Sequence, residues 1–338
     1  PARRMKALRT LNNCTSKTTD ADGPSLSGGG PFARDRKNKG ALGRRKAAMK
    51  QKRNRAVERV VHGIFLMLGL VTVGCVLMIT VYLVASGVPA IQKIGLKAFL
   101  LGRTWASTAA EPSFGILPFI LTSVYGTAGA MVLGVPVGFL TAVYLAKAAP
   151  PRVKQAVESA VSVLAGIPSV VYGLVGMLVL VPGVRRLFQV PDGSGLFSAI
   201  IVLAVMILPS VIKVSVTALE AVPREYEDAS LALGATELET FFRVSVPAAR
   251  SGIAAAVVLG VGRAIGEAMA VMMVSGNAPN MPGLFESVRF LTTAVASEMS
   301  YSSGLQQQAL FSIALVLFLF IMLINAALNF FLKRDKEG

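Results

Sequence analysis

Arg263 and Glu267 lie in an otherwise apolar run, "VLGVGRAIGEAMAVMM" (residues 258–273), inside a stretch, residues 253–274, long enough to cross a bilayer. An Arg at the centre of a spanning helix costs about 2.5–3.5 kcal/mol on an insertion scale, so a charge kept there needs a reason. An i,i+4 pair with Arg first is the weaker order for stabilising a helix, so helix stabilisation alone is a poor one. Two readings remain. In one, the pair is a polar clamp between helices. In the other, Arg263 lines an anion route, because a guanidinium is always charged and its fork fits two oxygens of an oxyanion. Glu267 then serves as an acceptor that only a protonated oxyanion satisfies. Phosphate keeps a P–OH near neutral pH and sulfate does not, so the pair would attract the first and discriminate against the second.

A second cluster follows from "GIPS" (residues 166–169). Pro168 removes one helical hydrogen bond and Gly166 loosens the same turn. Broken helices at membrane depth are tolerated where they are buried in protein or line a cavity. Ser169 and Tyr172 offer hydroxyl donors at that point; the alternative is a purely structural kink. Enzyme chemistry is not expected. His62 is the single histidine, Cys14 and Cys75 are the two cysteines, and no nucleophile–base set or metal cluster is visible. No cofactor is expected. The chain lacks the G-x-x-x-x-G-K-[ST] phosphate loop, so it is not read as an ATPase.

The elements that must hold these residues are membrane spans. Hydrophobic residues make up 54% of the chain and charged residues 15%, so much of it cannot face water. Six apolar stretches have near-spanning length: residues 64–84, 119–145, 160–181, 196–212, 253–274 and 309–332. The fourth contains Pro209, which leaves its ends open. Helices are expected, since the ten-residue alternation of a barrel is absent. Small residues recur every fourth position at Gly126, Ala130, Gly134, Gly138, Ala142 and Ala146, and again at Gly252, Ala256, Gly260, Ala264 and Ala268. Such stripes let backbones approach closely, so the fifth span is expected to be enclosed by other helices.

The net charge of +16 is concentrated at the start: half of the 34 Lys and Arg fall in the first 59 residues. Residues 1–57 read as a basic, mostly disordered tail, with a possible helix in "RRKAAMKQKRNRAVERVV". An initiator Met is expected before Pro1, and no cleaved secretory signal is expected. With the N-terminus in the cytoplasm, 27 Lys and Arg fall inside and 6 outside, with Arg263 left in the membrane. That bias predicts both termini cytoplasmic. The rest of the chain has no basic aromatic surface, so no nucleic-acid partner is expected. Among the outer-loop residues, Trp105, Arg185 and Arg289 are candidates to meet an external partner.

The loop of residues 220–251, "EAVPREYEDASLALGATELETFFRVSVPAARS", carries helix punctuation. Pro223 suits a first helical position, Glu225, Glu227 and Asp228 suit the first turns, and Gly234 is a natural stop. Thr236 with Glu239 forms a capping box for a second short helix. Its apolar residues, among them Leu231, Leu233, Leu238, Phe241 and Phe242, exceed what a solvated loop needs. An amphipathic interfacial hairpin is the generic alternative.

The segment from Asp228 to Pro247, "DASLALG-x9-VSVP", resembles the E-A-A-x3-G-x9-I-x-L-P loop of binding-protein-dependent ABC importer permeases. Asp for Glu and Ser for the second Ala are the departures. "LAGIPSVVYGLVG" (residues 164–176) and "GRAIGEAMAVMMVSGN" (residues 262–277) resemble the phosphate importer permeases, and the second is closer to the PstC-type subunit than to its PstA-type partner. The resemblance covers about residues 60–335. It implies an all-α membrane protein with the six-helix, type I ABC importer permease fold over residues 58–335, in a bacterial inner membrane. It implies a second, PstA-like permease, two ATP-binding subunits, an external phosphate-binding protein, and phosphate as the cargo. Asp228, Ala229, Ser230, Gly234 and Pro247 would couple to the ATPase, and Arg263, Glu267, Ser169 and Tyr172 would line the pathway. A permease for sulfate, molybdate or a phosphonate, a proton-coupled secondary transporter, and a membrane adaptor or sensor are the rival readings.

Overall fold

Long apolar runs without water to satisfy their backbone must close their own hydrogen bonds, and this chain does so almost entirely as helices. The computed structural model describes residues 31–334. Contacts divide the chain into two units, Pro1–Cys75 and Val76–Gly338. Helix α1, Pro31–Ile94, crosses that division. The described part of the first unit is helix throughout, and from Val60 its apolar side chains are exposed, Phe65 and Met67 among them. The expectation of a disordered tail falls, for residues 1–30, outside the described residues. Residues 31–57 are helical, an earlier start than the helix anticipated from Arg44.

The second unit continues through α2 (Leu96–Leu101), a two-strand hairpin, β1 (Trp105–Ala106) with β2 (Ser113–Phe114), and α3 (Leu117–Val143). A π-helical turn, Tyr144–Ala148, extends α3. Next come α4 (Pro151–Gly166), α5 (Ser169–Val175), a π-turn (Gly176–Leu180), α6 (Val181–Phe188) and α7 (Leu196–Glu220). A compact surface element follows: α8 (Arg224–Ala232), α9 (Glu237–Thr240), a third π-turn (Phe241–Ser245) and α10 (Val246–Ala248). The chain then runs through α11 (Arg250–Gly266), α12 (Met269–Val274), α13 (Leu291–Glu298) and α14 (Gly304–Arg334).

Among the described residues, five segments are long and apolar enough to cross a membrane: Val60–Ile94, Leu117–Ala148, Ser169–Phe188, Leu196–Glu220 and Gly304–Ala327. A sixth is the bent pair Glu237–Ala248 and Arg250–Gly266, angled at 68°. The limits of several expected spans shift, and two of the shifts bear on the site. The third does not begin near residue 160. Ile167 and Pro168 are extended, and the spanning segment starts only at Ser169. The fifth is not one helix over residues 253–274, because α11 ends at Gly266 and Glu267 is extended.

Helix α7 is the hub, and the small-residue stripes explain how. Gly126, Ala130, Gly134, Gly138 and Ala142 of α3 are all buried. A Cβ on Gly134 would sit 2.7 Å from Ile207 Cδ1, and one on Gly138 would sit 2.9 Å from Val211 Cγ1. From the other stripe, Gly252 abuts Ala218, and Gly260 faces Val211 and Ile207. Two helices thus close on α7 at backbone distance, where dispersion contacts rather than water exclusion hold helices together. A second core joins the end of α1, the hairpin, α13 and α14 through Ala90, Trp105, Phe119, Leu291 and Leu310.

Candidate functional site

The two helix breaks form the candidate site. At the first, Pro168 has no N–H, and the Tyr172 hydroxyl reaches back across the gap to donate to the Leu164 carbonyl at 2.7 Å. At the second, Glu267 is held by both ends of its residue. Its Oε1 accepts from the Ala270 N–H at 3.0 Å, capping the start of α12. Its carbonyl accepts from Thr292 Oγ1 at 2.7 Å, tying the break to α13. The start of α13 is fixed in turn by Leu291 N–H donating to Ser123 Oγ of α3 at 3.0 Å.

The short helices beyond the breaks meet face to face. A Cβ on Gly173 would lie 2.8 Å from Ala270 Cα and 3.0 Å from its carbonyl, so only glycine permits this approach of α5 to α12. Arg263, one turn before the second break, is half-buried and has no hydrogen bond or ion pair among the described residues. Its charge is within electrostatic reach of Tyr172. Ser169, half-buried, opens α5. Ser169 and Tyr172 thus lie just past the first break and Arg263 and Glu267 at the second, but the structure does not pair Arg263 with Glu267. The i,i+4 geometry presumed one continuous helix, and α11 stops between them. The adjoining groove of about 860 Å³ along α5, α6 and α7 is lined by side chains such as Val171, Leu187 and Phe197, an apolar wall unsuited to an oxyanion.

On the surface element, the Thr236–Glu239 capping box is present, with Glu239 N–H donating to Thr236 Oγ1 at 3.3 Å. Gly234 takes φ +88°, the left-handed conformation that ends α8. Asp228, Ala229, Gly234 and Pro247 are exposed, whereas Ser230 is half-buried and accepts from Thr240 Oγ1 at 2.9 Å. Leu233 and Leu238 are 90% and 70% exposed, and only Phe241 of the apolar set turns inward. Sequence reasoning missed the role of Glu227, which pairs with Lys147 and accepts from Ser245 Oγ at 2.6 Å. Burial pushes the Glu227 carboxyl up. The hydrogen bonds from Lys147 and Ser245 and the charges of Lys147 and Arg224 outweigh this and hold it below the ordinary carboxylate value.

At the opposite end, two of the anticipated surface contacts are structural. Trp105 is buried and its Nε1 donates to Glu298 Oε2 at 3.2 Å. Arg289 pairs with Glu298, donates from Nε to the Asn277 carbonyl at 2.9 Å, and stacks 5.9 Å above the Phe119 ring. Arg185 remains exposed on α6.

Broken spans around a polar point, with a helical element folded onto one end, define a multi-pass membrane transport subunit. The family of binding-protein-dependent transport system inner membrane components matches residues 134–335, and the chain belongs to it. It is 36% identical over 265 residues to the probable ABC transporter permease protein YqgH of Bacillus subtilis, covering 76% of this chain and 86% of that one. It is 32% and 35% identical to the phosphate transport system permease proteins PstC of Pasteurella multocida and Haemophilus influenzae, in each case covering 71% of this chain and 82% of the relative. Among solved structures, the inward-facing MetNI methionine ABC transporter matches 65% of this chain and 97% of its own, at a TM-score of 0.51 and 20% identity. The fold is thus the type I ABC importer permease fold. The chain is a transport subunit, an inner-membrane component, and ATP hydrolysis belongs to partner subunits.

Proposed function

We propose that this chain carries inorganic phosphate across the bacterial inner membrane, as one of two permease subunits in an ATP-driven importer. The carrying observation is Arg263: a half-buried guanidinium one turn before the break at Glu267, with no hydrogen bond or ion pair among the described residues. A cation left free at membrane depth is stabilised by an anionic cargo, and its fork donates N–H bonds to two phosphate oxygens. The PstC relatives name phosphate as theirs.

The Tyr172 and Ser169 hydroxyls supply further donors beside the route. Glu267 Oε1 is committed to capping α12, which leaves Oε2 as the acceptor for the P–OH. Residues 58–335 act as the permease domain and residues 1–57 as a cytoplasmic tail, with both termini inside. A PstA-like permease, two ATP-binding subunits and an external phosphate-binding protein complete the assembly. ATP-driven closure of the ATPases moves the loop of residues 220–251, through Asp228, Ala229, Ser230, Gly234 and Pro247, and reorients the spans.

The test is phosphate uptake by the reconstituted complex with wild-type protein and Arg263→Gln, in competition with sulfate. Uptake is expected to collapse in the variant and to resist sulfate in the wild type. Unchanged uptake in Arg263→Gln, or equal competition by sulfate, rejects the reading.

A further inference from the structure

Helix α8 buries no residue, so apolar packing does not fasten it to the protein. Two polar contacts on one face, a helical turn apart, do so instead. Ser230 receives the Thr240 hydroxyl, and Glu227 receives Lys147 and Ser245 on the same Oε1. The neighbours of Glu227 come from special places. Lys147 lies in the π-turn that ends the second span, and Ser245 lies in the π-turn within the first arm of the bent span. Single π-turns inside helices are rare and concentrate at functional sites. One carboxylate thus bridges the ends of two spans, while its neighbour Asp228 points into solvent without a partner among the described residues.

We propose that Glu227 is the positioning residue that transmits motion of the surface element to the second and fifth spans. The inference rests on the importer reading above. Asp228 and the exposed leucines present the outer face to a partner, and Glu227 holds the inner face to the pathway helices. With side chains 19% and 32% exposed, the Glu227–Lys147 pair contributes little to folding. Its value is geometric: it fixes where the element sits, so that a push on α8 is delivered to α3 and α11 together. A chain in which the pair is cut should keep its fold and lose the delivery.

The experiment measures ATP hydrolysis and phosphate uptake side by side in proteoliposomes holding the complete complex. In Glu227→Gln and in Lys147→Glu, the ATP consumed per phosphate moved is expected to rise about tenfold, the scale of losing a charge-assisted hydrogen bond. The exchange variant Glu227→Lys with Lys147→Glu is expected to recover most of that ratio, while the single variants melt close to the wild type; a merely structural role would lower their melting. Ser245→Ala and Lys147→Met read the same ratio through smaller changes if Glu227→Gln fails to assemble. A wild-type ratio in all the single variants, or no recovery in the exchange variant, overturns the proposal. Absence of phosphate uptake by the wild-type complex counts instead against the importer reading.

Discussion

Arg289 and Arg263 are two arginines in one apolar chain, and the structure treats them in opposite ways. Arg289 is saturated: Glu298 neutralises it, the Asn277 carbonyl takes its Nε–H, and the Phe119 ring lies beneath it. Glu298 is itself shared with Trp105 and with Gln306, which donates at 3.1 Å. Arg263 gathers none of these. A cation that builds structure collects partners from several elements, because an unpaired one is costly once half-buried. Under the proposed function, a cation left without them is held for a cargo that comes and goes. The contrast separates architecture from site better than either residue's position in the sequence.

The largest effect expected is on folding, at Arg289. Arg289→Met strands Glu298, 20% exposed and hydrogen-bonded to Trp105, without its counter-charge. Removing one partner of such a pair costs about 3 kcal/mol. The purified protein should melt well below the wild type, while Arg263→Met should melt at or above it. If both melt alike, the contrast between the two arginines fails. Next comes transport at Arg263. Arg263→Gln removes a charge-assisted contact worth about 2 kcal/mol, so uptake should fall on the order of thirtyfold with thermal stability intact.

A third expectation sharpens the geometry between the breaks. The Cβ of Gly173→Ala would meet Ala270 backbone atoms, which cannot swing aside. Overpacking of this kind costs about 1–3 kcal/mol and should separate α5 from α12. The same change at Gly166, at the end of α4, meets nothing within 4 Å in this chain and should leave its melting nearly unchanged. Thermal melts of the two variants, run together, check the difference.

A fourth concerns pH at Glu227. Its carboxyl is held below the ordinary value of 4.5, so folding depresses it and the charged form is the stabilised one. Its contribution is complete above that ordinary value and is lost as pH falls through the lower folded value. Lys147 and Arg224 are the cations facing it, Glu225 and Asp228 neighbour it on α8, and Glu237 lines the same cleft. The stability difference between wild type and Glu227→Gln should therefore be small, constant from neutral pH down to about 5, and vanish in stronger acid. A difference that grows on acidification would contradict the assignment.

What the sequence disclosed follows a physical line. Features closed within a few residues were legible: the capping box at Thr236 and Glu239, the glycine stop at Gly234, and the break prepared by Pro168. The small-residue stripes were legible because close approach demands small side chains wherever the partner lies. The second break was not, because "GRAIGEAMA" contains no proline. Its extended residue is held by Thr292, 25 positions away. The roles of Arg289 and Glu227 depend on Trp105 and Lys147, 193 and 80 positions from Glu298 and Glu227, and no local pattern reports such pairings. The type of a residue shows what it can do; its distant partners decide whether it is free to do it.

The smallest effect separates the two roles left to Glu267. As a cap it needs only an acceptor at Oε1 facing the Ala270 N–H, and a Gln carbonyl supplies one. What Gln removes is the negative charge at the start of α12, worth about 0.3–1 kcal/mol to a helix N-terminus. If capping is its whole role, Glu267→Gln should transport phosphate at close to the wild-type rate and still reject sulfate. Glu267→Leu, which abolishes the acceptor, should then be the damaging change. If Oε2 also accepts the proton of the cargo, Glu267→Gln gains an amide donor where an acceptor stood. Sulfate, which has no proton to give, should then compete several-fold better than it does against the wild type. Uptake of labelled phosphate under increasing sulfate, compared across the two variants, decides whether the residue that anchors the break also reads what passes it.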